Sequence, residues 1–150
     1  MRVVIQRVLE TQVLINGIEY SRINAGMFIL LGVHTLDEQD DINWLVNKIY
    51  NLRIFSDHDK KMNLDLKQTK SEVMVVSQFT LFASTKKGNR PSFTESADPQ
   101  KAINLYDSFC HNLSEILGEK VKTGIFGADM QIQLVNDGPV TIIIDSKNKE

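Results

Sequence analysis

The chain is short of cysteine, proline, net charge and long apolar runs, and each shortage excludes something. Cys110 is the lone thiol among 150 residues, so no internal disulfide framework is available, and this fits a reducing compartment. Three prolines, with no repeat and no low-complexity tract, leave no sign of a linker, so residues 1–150 read as one domain able to bury a real core. Lys+Arg 17 against Asp+Glu 19 gives a formal charge of −2, so any nucleic-acid contact would have to use a local basic patch. No apolar run approaches membrane-spanning length, and no charged segment leading into an apolar one opens the chain; the expected address is the cytoplasm, with no membrane partner.

Site chemistry is thin as well. His34, His58 and His111 fall at no metal-ligand spacing. Asp57, Asp59 and Asn63 faintly resemble a calcium loop, but Lys61 occupies a ligand position and the central glycine is missing. No Gly-x-Ser-x-Gly elbow and no glycine-rich phosphate cradle occurs, so neither a metal nor a cofactor is expected. Cys110 lies on an apolar helical stripe, where a buried structural thiol is the simpler reading.

The chain does carry clear element signals. Residues 2–14 are strand formers, and Asn16-Gly17 marks a tight hairpin, since both residues tolerate positive φ. Residues 26–33 form an apolar run bracketed by glycines, the length of a buried strand. Thr35 and Glu38 predict a capping box, and Ile42, Leu45, Val46 and Ile49 predict a helix from about 36 to 51. A short strand at 52–55 and a return at 62–66 follow. Asp98-Pro99 opens a second helix and Gly118 closes it. Two terminal strands, one from Met130 to Leu134 and one from Val140 to Ile144, are expected to be joined by a turn at 136–139. Seven or eight strands and two principal helices without βαβ alternation predict an α+β domain, its sheet mainly antiparallel, strongly curved and barrel-like.

Three stretches admit a functional reading beside a plain one. Val73-Met74-Val75-Val76 reads as a core strand running to about Phe82, yet it passes into Ser77-Gln78-Phe79-Thr80. That is either a frayed strand end or a place where donors meet a ligand. The loop at 83–97 carries Lys86, Lys87 and Arg90 with no acid among residues 84–93, and is either solvated or a phosphate-contacting arm. Gly138-Pro139 gives up a ladder donor and is a plausible cis bond. It is either a rigid turn or a means of aiming backbone carbonyls.

Taken together these stretches resemble the D-aminoacyl-tRNA deacylase family. The resemblance rests on Gln6-Arg7-Val8, Leu30-Leu31-Gly32-Val33, Lys61-Met62-Asn63-Leu64, Ser77-Gln78-Phe79-Thr80-Leu81, Arg90-Pro91-Ser92-Phe93, Phe126-Gly127-Ala128-Asp129-Met130 and Asn136-Asp137-Gly138-Pro139-Val140-Thr141. Asn89 departs from the family, which usually has a basic residue there. The resemblance implies that family's fold and a homodimer with its active site at the subunit interface. It implies hydrolysis of the ester joining a D-amino acid, or glycine mischarged on tRNA(Ala), to the tRNA 3′ end. Ser77, Gln78, Phe79 and Thr80 would form the catalytic corner, with backbone N–H groups as oxyanion donors. Water assisted by the ribose 2′-OH would attack, Thr80 Oγ being the alternative nucleophile. Gly138 and Pro139 would enter from the partner as a cis-bonded chirality filter supported by Arg7. Phe126 and Met130 would line the terminal-adenine pocket, and Lys86, Lys87 and Arg90 would meet tRNA.

Two other classes stay in view. A non-catalytic RNA-binding module would use the basic loop with Phe93 as a stacking platform. A serine- or threonine-dependent esterase of small metabolites would react with fluorophosphonates.

Overall fold

The computed structural model describes residues 1–149. Strand β1 (Arg2–Ile15) turns through Asn16 and Gly17, at φ +52° and +76°, into β2 (Ile18–Ile23). Then come β3 (Gly26–Gly32), α1 (Gln39–Tyr50), β4 (Phe55–Ser56), β5 (Met62–Leu64), the single turn α2 (Leu66–Thr69) and β6 (Glu72–Ser77). A 3₁₀ turn (Phe79–Phe82), the long helix α3 (Pro99–Leu117), β7 (Lys122–Thr123) and β8 (Gln131–Asp145) complete the chain.

The main sheet runs β2-β1-β3-β6-β7, with β8 on the remaining edge of β1. All three pairings of β1 are antiparallel, as expected. Those of β6 with β3 and β7 are parallel, because each connection crosses through a long helix, α1 or α3. The sheet nearly closes on itself. Ser21 Oγ donates to the Thr123 carbonyl at 2.7 Å, and the Asn24 amides reach Glu72 Oε2 at 2.6 and 2.9 Å.

Two cores explain why β3 and β6 are apolar without alternation. Phe28, Met74 and Val76 point into the barrel with Val8, Val13 and Ile23. Met27, Ile29, Leu31, Val73 and Val75 point out, under Ile42, Leu45 and Ile49 of α1 and Phe109 and Leu113 of α3. Among the described residues no helix is long and apolar enough to cross a membrane.

Five local expectations are corrected. Helix α1 starts at Gln39, capped by Glu38 and Asp41, because Asp37 is used elsewhere: its buried carboxylate takes the Met1 ammonium at 2.5 Å and the His34 N–H at 2.6 Å. The first short strand is Phe55–Ser56, and the return stops at Leu64, where Asp65 and Gln68 cap the unforeseen α2. Strand β6 ends at Ser77, the chain curling into the 3₁₀ turn. Finally, no hairpin joins two terminal strands. β8 is continuous along β1, and Asn136-Asp137-Gly138-Pro139 belongs to a bulge: Gln6 pairs with Thr141 and Val8 with Asn136, so residues 137–140 stand opposite Arg7 alone.

Candidate active site

The site is built where β6 runs out. Gln78 N–H bonds the Leu31 carbonyl at 2.8 Å, after which the chain folds into the turn. Gly32 permits this, since a Cβ there would lie 3.0 Å from the Gln78 carbonyl oxygen and 3.1 Å from both Leu81 Cβ and Phe82 Cε2. The first amide bonded within the turn is Leu81 N–H, on the Gln78 carbonyl at 3.3 Å, so the turn leaves the Phe79 and Thr80 amides without an acceptor. Gln78 Nε2 donates to Thr80 Oγ1 at 2.5 Å. Among the described residues no carboxylate or imidazole bonds Ser77 or Thr80, so neither hydroxyl has a base to activate it.

Beside the turn lies a cleft of about 290 Å³. Ser77, Gln78 and Phe79 form one side, and Phe126, Gly127, Ala128, Asp129 and Met130 another. Leu31, Val33 and Ile132 add apolar lining, Ser96 comes from the long loop, and Ala102 and Tyr106 come from α3. Tyr106 OH donates to the Val75 carbonyl at 2.8 Å, and its ring sits 5.8 Å from that of Phe126. Burial, with the neighbouring Cys110, drives the Tyr106 pKa well above the phenol range. Burial likewise pushes the Cys110 thiol up to about 12, against a weaker opposing pull from Tyr106. Both stay neutral and structural.

Phe79 is 56% exposed, its ring edge-on to Phe93 at 4.9 Å. That contact sets the basic loop beside the cleft. A Ser84–Ser92 pair, at 2.8 and 2.9 Å, closes the loop's base and leaves Lys86, Lys87 and Arg90 exposed.

Ser77, Gln78, Phe79, Phe126 and Met130 thus line one cleft, with Thr80 tied to Gln78. Gly138, Pro139 and Arg7 do not line it. The Gly138-Pro139 bond is cis, and both residues are exposed on the bulge. Arg7, 8% exposed, lies beneath: its Nε is 2.8 Å from Asp137 Oδ2, an ion pair without hydrogen-bond alignment, and its Nη1 donates to the Ile54 carbonyl at 2.6 Å.

The three histidines remain apart. His34 Nδ1 accepts the Leu36 N–H at 3.0 Å, and His111 is exposed on α3. Asp57, His58 and Asp59 bring ligand atoms within 4.8 Å of one another on the surface. The Asp57 carboxylate is occupied, however, with the Asp59 and Lys61 amides and Asn63 Nδ2. Sequence reasoning missed the α3 wall. Tyr106 shares the buried face of α3 with Cys110, and its hydroxyl, bonded to the Val75 carbonyl, gave no sign in the sequence of a cleft wall. Leu31 and Val33 flank Gly32, and that close-approach glycine was their available signal.

Comparison with known proteins bears on the family and the fold. A family model described as D-Tyr-tRNA(Tyr) deacylase matches residues 4–145. D-aminoacyl-tRNA deacylases of Flavobacterium psychrophilum, Porphyromonas gingivalis and Cytophaga hutchinsonii are each 57% identical over 150 residues, the whole of both chains. The solved "c-Myc DNA Unwinding Element Binding Protein" superposes with a TM-score of 0.91 at 38% identity, covering 97% of this chain and 98% of its own. A structure described as "a probable eukaryotic D-amino acid tRNA deacylase" shares the fold, with a TM-score of 0.83 at 19% identity over 95% of this chain and 97% of its own. With family and fold agreeing along essentially its full length, the chain belongs to the D-aminoacyl-tRNA deacylase family.

Proposed function

We propose that the chain hydrolyses the ester between a D-amino acid and the terminal ribose of tRNA, together with glycine mischarged on tRNA(Ala), and so acts in chiral proofreading in the cytoplasm. The observation that carries this reading is the corner at Ser77–Thr80, where the turn at the edge of the cleft leaves two amides without an acceptor and, among the described residues, neither hydroxyl is bonded to a side-chain base. An aminoacyl ester is already reactive, so orientation and an oxyanion hole suffice. One such donor is worth roughly 10²–10³ in rate. Water assisted by the substrate's own 2′-OH then attacks, and the Phe79 and Thr80 amides stabilise the tetrahedral oxyanion as the ribose oxygen leaves. Phe126 and Met130 hold the terminal adenine, while Lys86, Lys87 and Arg90 meet backbone phosphate.

Rejection of L-substrates needs a wall that the single chain does not supply at its own cleft. The exposed Gly138 and Pro139 are assigned to the cleft of a second copy in a homodimer. There their carbonyls meet the substrate α-carbon on the side where an L side chain would project. Arg7 holds that bulge through Asp137. Contacts confined to atoms shared by all amino acids account for breadth across side chains.

Purified protein should deacylate D-Tyr-tRNA in EDTA and spare L-Tyr-tRNA. Equal turnover of both refutes the filter; uncharged tRNA bound with no deacylation points to the RNA-binding module. Thr80→Ala should retain appreciable activity, and an inactive but folded Thr80→Ala would point to a covalent threonine.

A further inference from the structure

The 3₁₀ turn that presents the two amides is four residues long and internally weak. Its bonds include Leu81 N–H to the Gln78 carbonyl at 3.3 Å and Ala83 N–H to the Thr80 carbonyl at 3.0 Å, and i→i+3 geometry is poorer than that of an α-helix. A turn this short needs external support to hold donors within a fraction of an ångström, and one side chain meets it at its far end. Arg2 Nη1 donates to the Leu81 carbonyl at 2.7 Å, an oxygen the turn itself leaves unused. The Arg2 guanidinium also lies over the Phe82 ring, 4.7 Å from its centroid. The other edge of the fork is taken by Asp145 Oδ2, at 2.9 Å from Nε and 2.8 Å from Nη2. In register, Arg2 stands between Gly32 on β3 and Asp145 on β8. The glycine seat of the turn, its clamp and the brace of that clamp therefore share one rung of the sheet.

We propose that Arg2, braced by Asp145, is a positioning residue that fixes the Phe79 and Thr80 amides for catalysis; this rests on the ester-hydrolysis reading above. Arg2 is 37% exposed at its side chain and Asp145 16%, so the pair lies at the surface over the turn and is not a core element. The fork matters as much as the charge. A lysine ammonium has no planar pair of donors with which to hold a carbonyl and a carboxylate in fixed relative position.

The test is steady-state deacylation of D-Tyr-tRNA by Arg2→Met, Arg2→Lys and Asp145→Asn, with Arg22→Met on the distant β1–β2 hairpin as control. Arg2→Met should lower kcat about tenfold, the scale expected of a sub-ångström misplacement, with KM within about twofold of wild type. Asp145→Asn should lose less, Arg2→Lys should recover only part of the loss, and Arg2→Met combined with Asp145→Asn should be no slower than Arg2→Met alone. A merely structural role would lower the folded fraction and leave kcat per folded enzyme unchanged, and that result overturns the proposal. Should Arg2→Met fail to fold, wild-type kcat in both Arg2→Lys and Asp145→Asn overturns it equally. An inactive wild-type enzyme sinks the hydrolase reading first, before any variant is made.

Discussion

Gly32→Ala isolates the seat of the 3₁₀ turn. The added Cβ would meet the Gln78 carbonyl oxygen at 3.0 Å and Leu81 Cβ and Phe82 Cε2 at 3.1 Å, where ordinary contact begins near 3.4 Å. Two of the three obstacles are a backbone oxygen and a β-carbon, which no rotamer change removes. The turn must therefore retreat by a few tenths of an ångström. Overpacking of this kind costs about 1–3 kcal/mol, and replacing a strand glycine returns about 0.5–1, so a net destabilisation of up to about 2.5 kcal/mol is expected. The catalytic effect is the sharper one. Because a shift of 1 Å can cost about 10²-fold, a few tenths should lower kcat by roughly tenfold. Urea denaturation gives the first quantity, and deacylation of saturating D-Tyr-tRNA by the folded variant gives the second. Wild-type kcat in a variant destabilised as expected would show that the turn's position does not matter, and the oxyanion argument would fall with it.

Gly26→Ala should be far worse for folding, because its Cβ would lie 1.9 Å from the Glu72 carbonyl oxygen in the β3–β6 pairing; a loss above about 3 kcal/mol is expected, and a urea midpoint near wild type refutes it. Asp41 should make stability acid-sensitive. Burial raises its pKa, but bonds from Lys147, Ser146 and the Glu38 amide outweigh this and bring it from 3.8 to about 2. A depressed folded pKa gives stability present above about pH 4 and lost towards pH 2, at most about 2 kcal/mol with the exposed Lys147 discounted. The stability gap between wild type and Asp41→Asn in urea titrations should therefore narrow from pH 5 to pH 2, and a constant gap contradicts the assignment. Replacing Lys86, Lys87 and Arg90 together by alanine should raise KM and flatten its logarithmic dependence on KCl by about 2, whereas an unaltered slope would place the loop away from the tRNA.

Local signals were readable in the sequence where one short-range device decided the outcome. Asp98 and Pro99 open α3 and Gly118 closes it at φ +73°, as their chemistry requires. Asn16-Gly17 makes its hairpin for the same reason. Errors came where a distant partner outbid a local one. Thr35 and Glu38 looked like a capping box, but the intervening Asp37 is claimed by the Met1 ammonium and α1 is capped at Glu38 instead. Asp137-Gly138-Pro139 looked like a hairpin turn, but β1 continues past it on both sides and holds it as a bulge. The same limit applies to the site. Ser77-Gln78-Phe79-Thr80 announced the corner because polar groups had no packing reason to end a core strand, whereas Ala102 and Tyr106 carried no such anomaly and became visible only once α3 was laid across β6.

The pairing of β1 with β8 joins Arg2 to Asp145, 143 residues apart in sequence. During synthesis β1 must therefore wait, one edge open, until β8 has left the ribosome. Closure of the barrel is then a late, non-local and comparatively slow event. Until it happens the nascent chain exposes a long unpaired edge, a template for pairing with another chain.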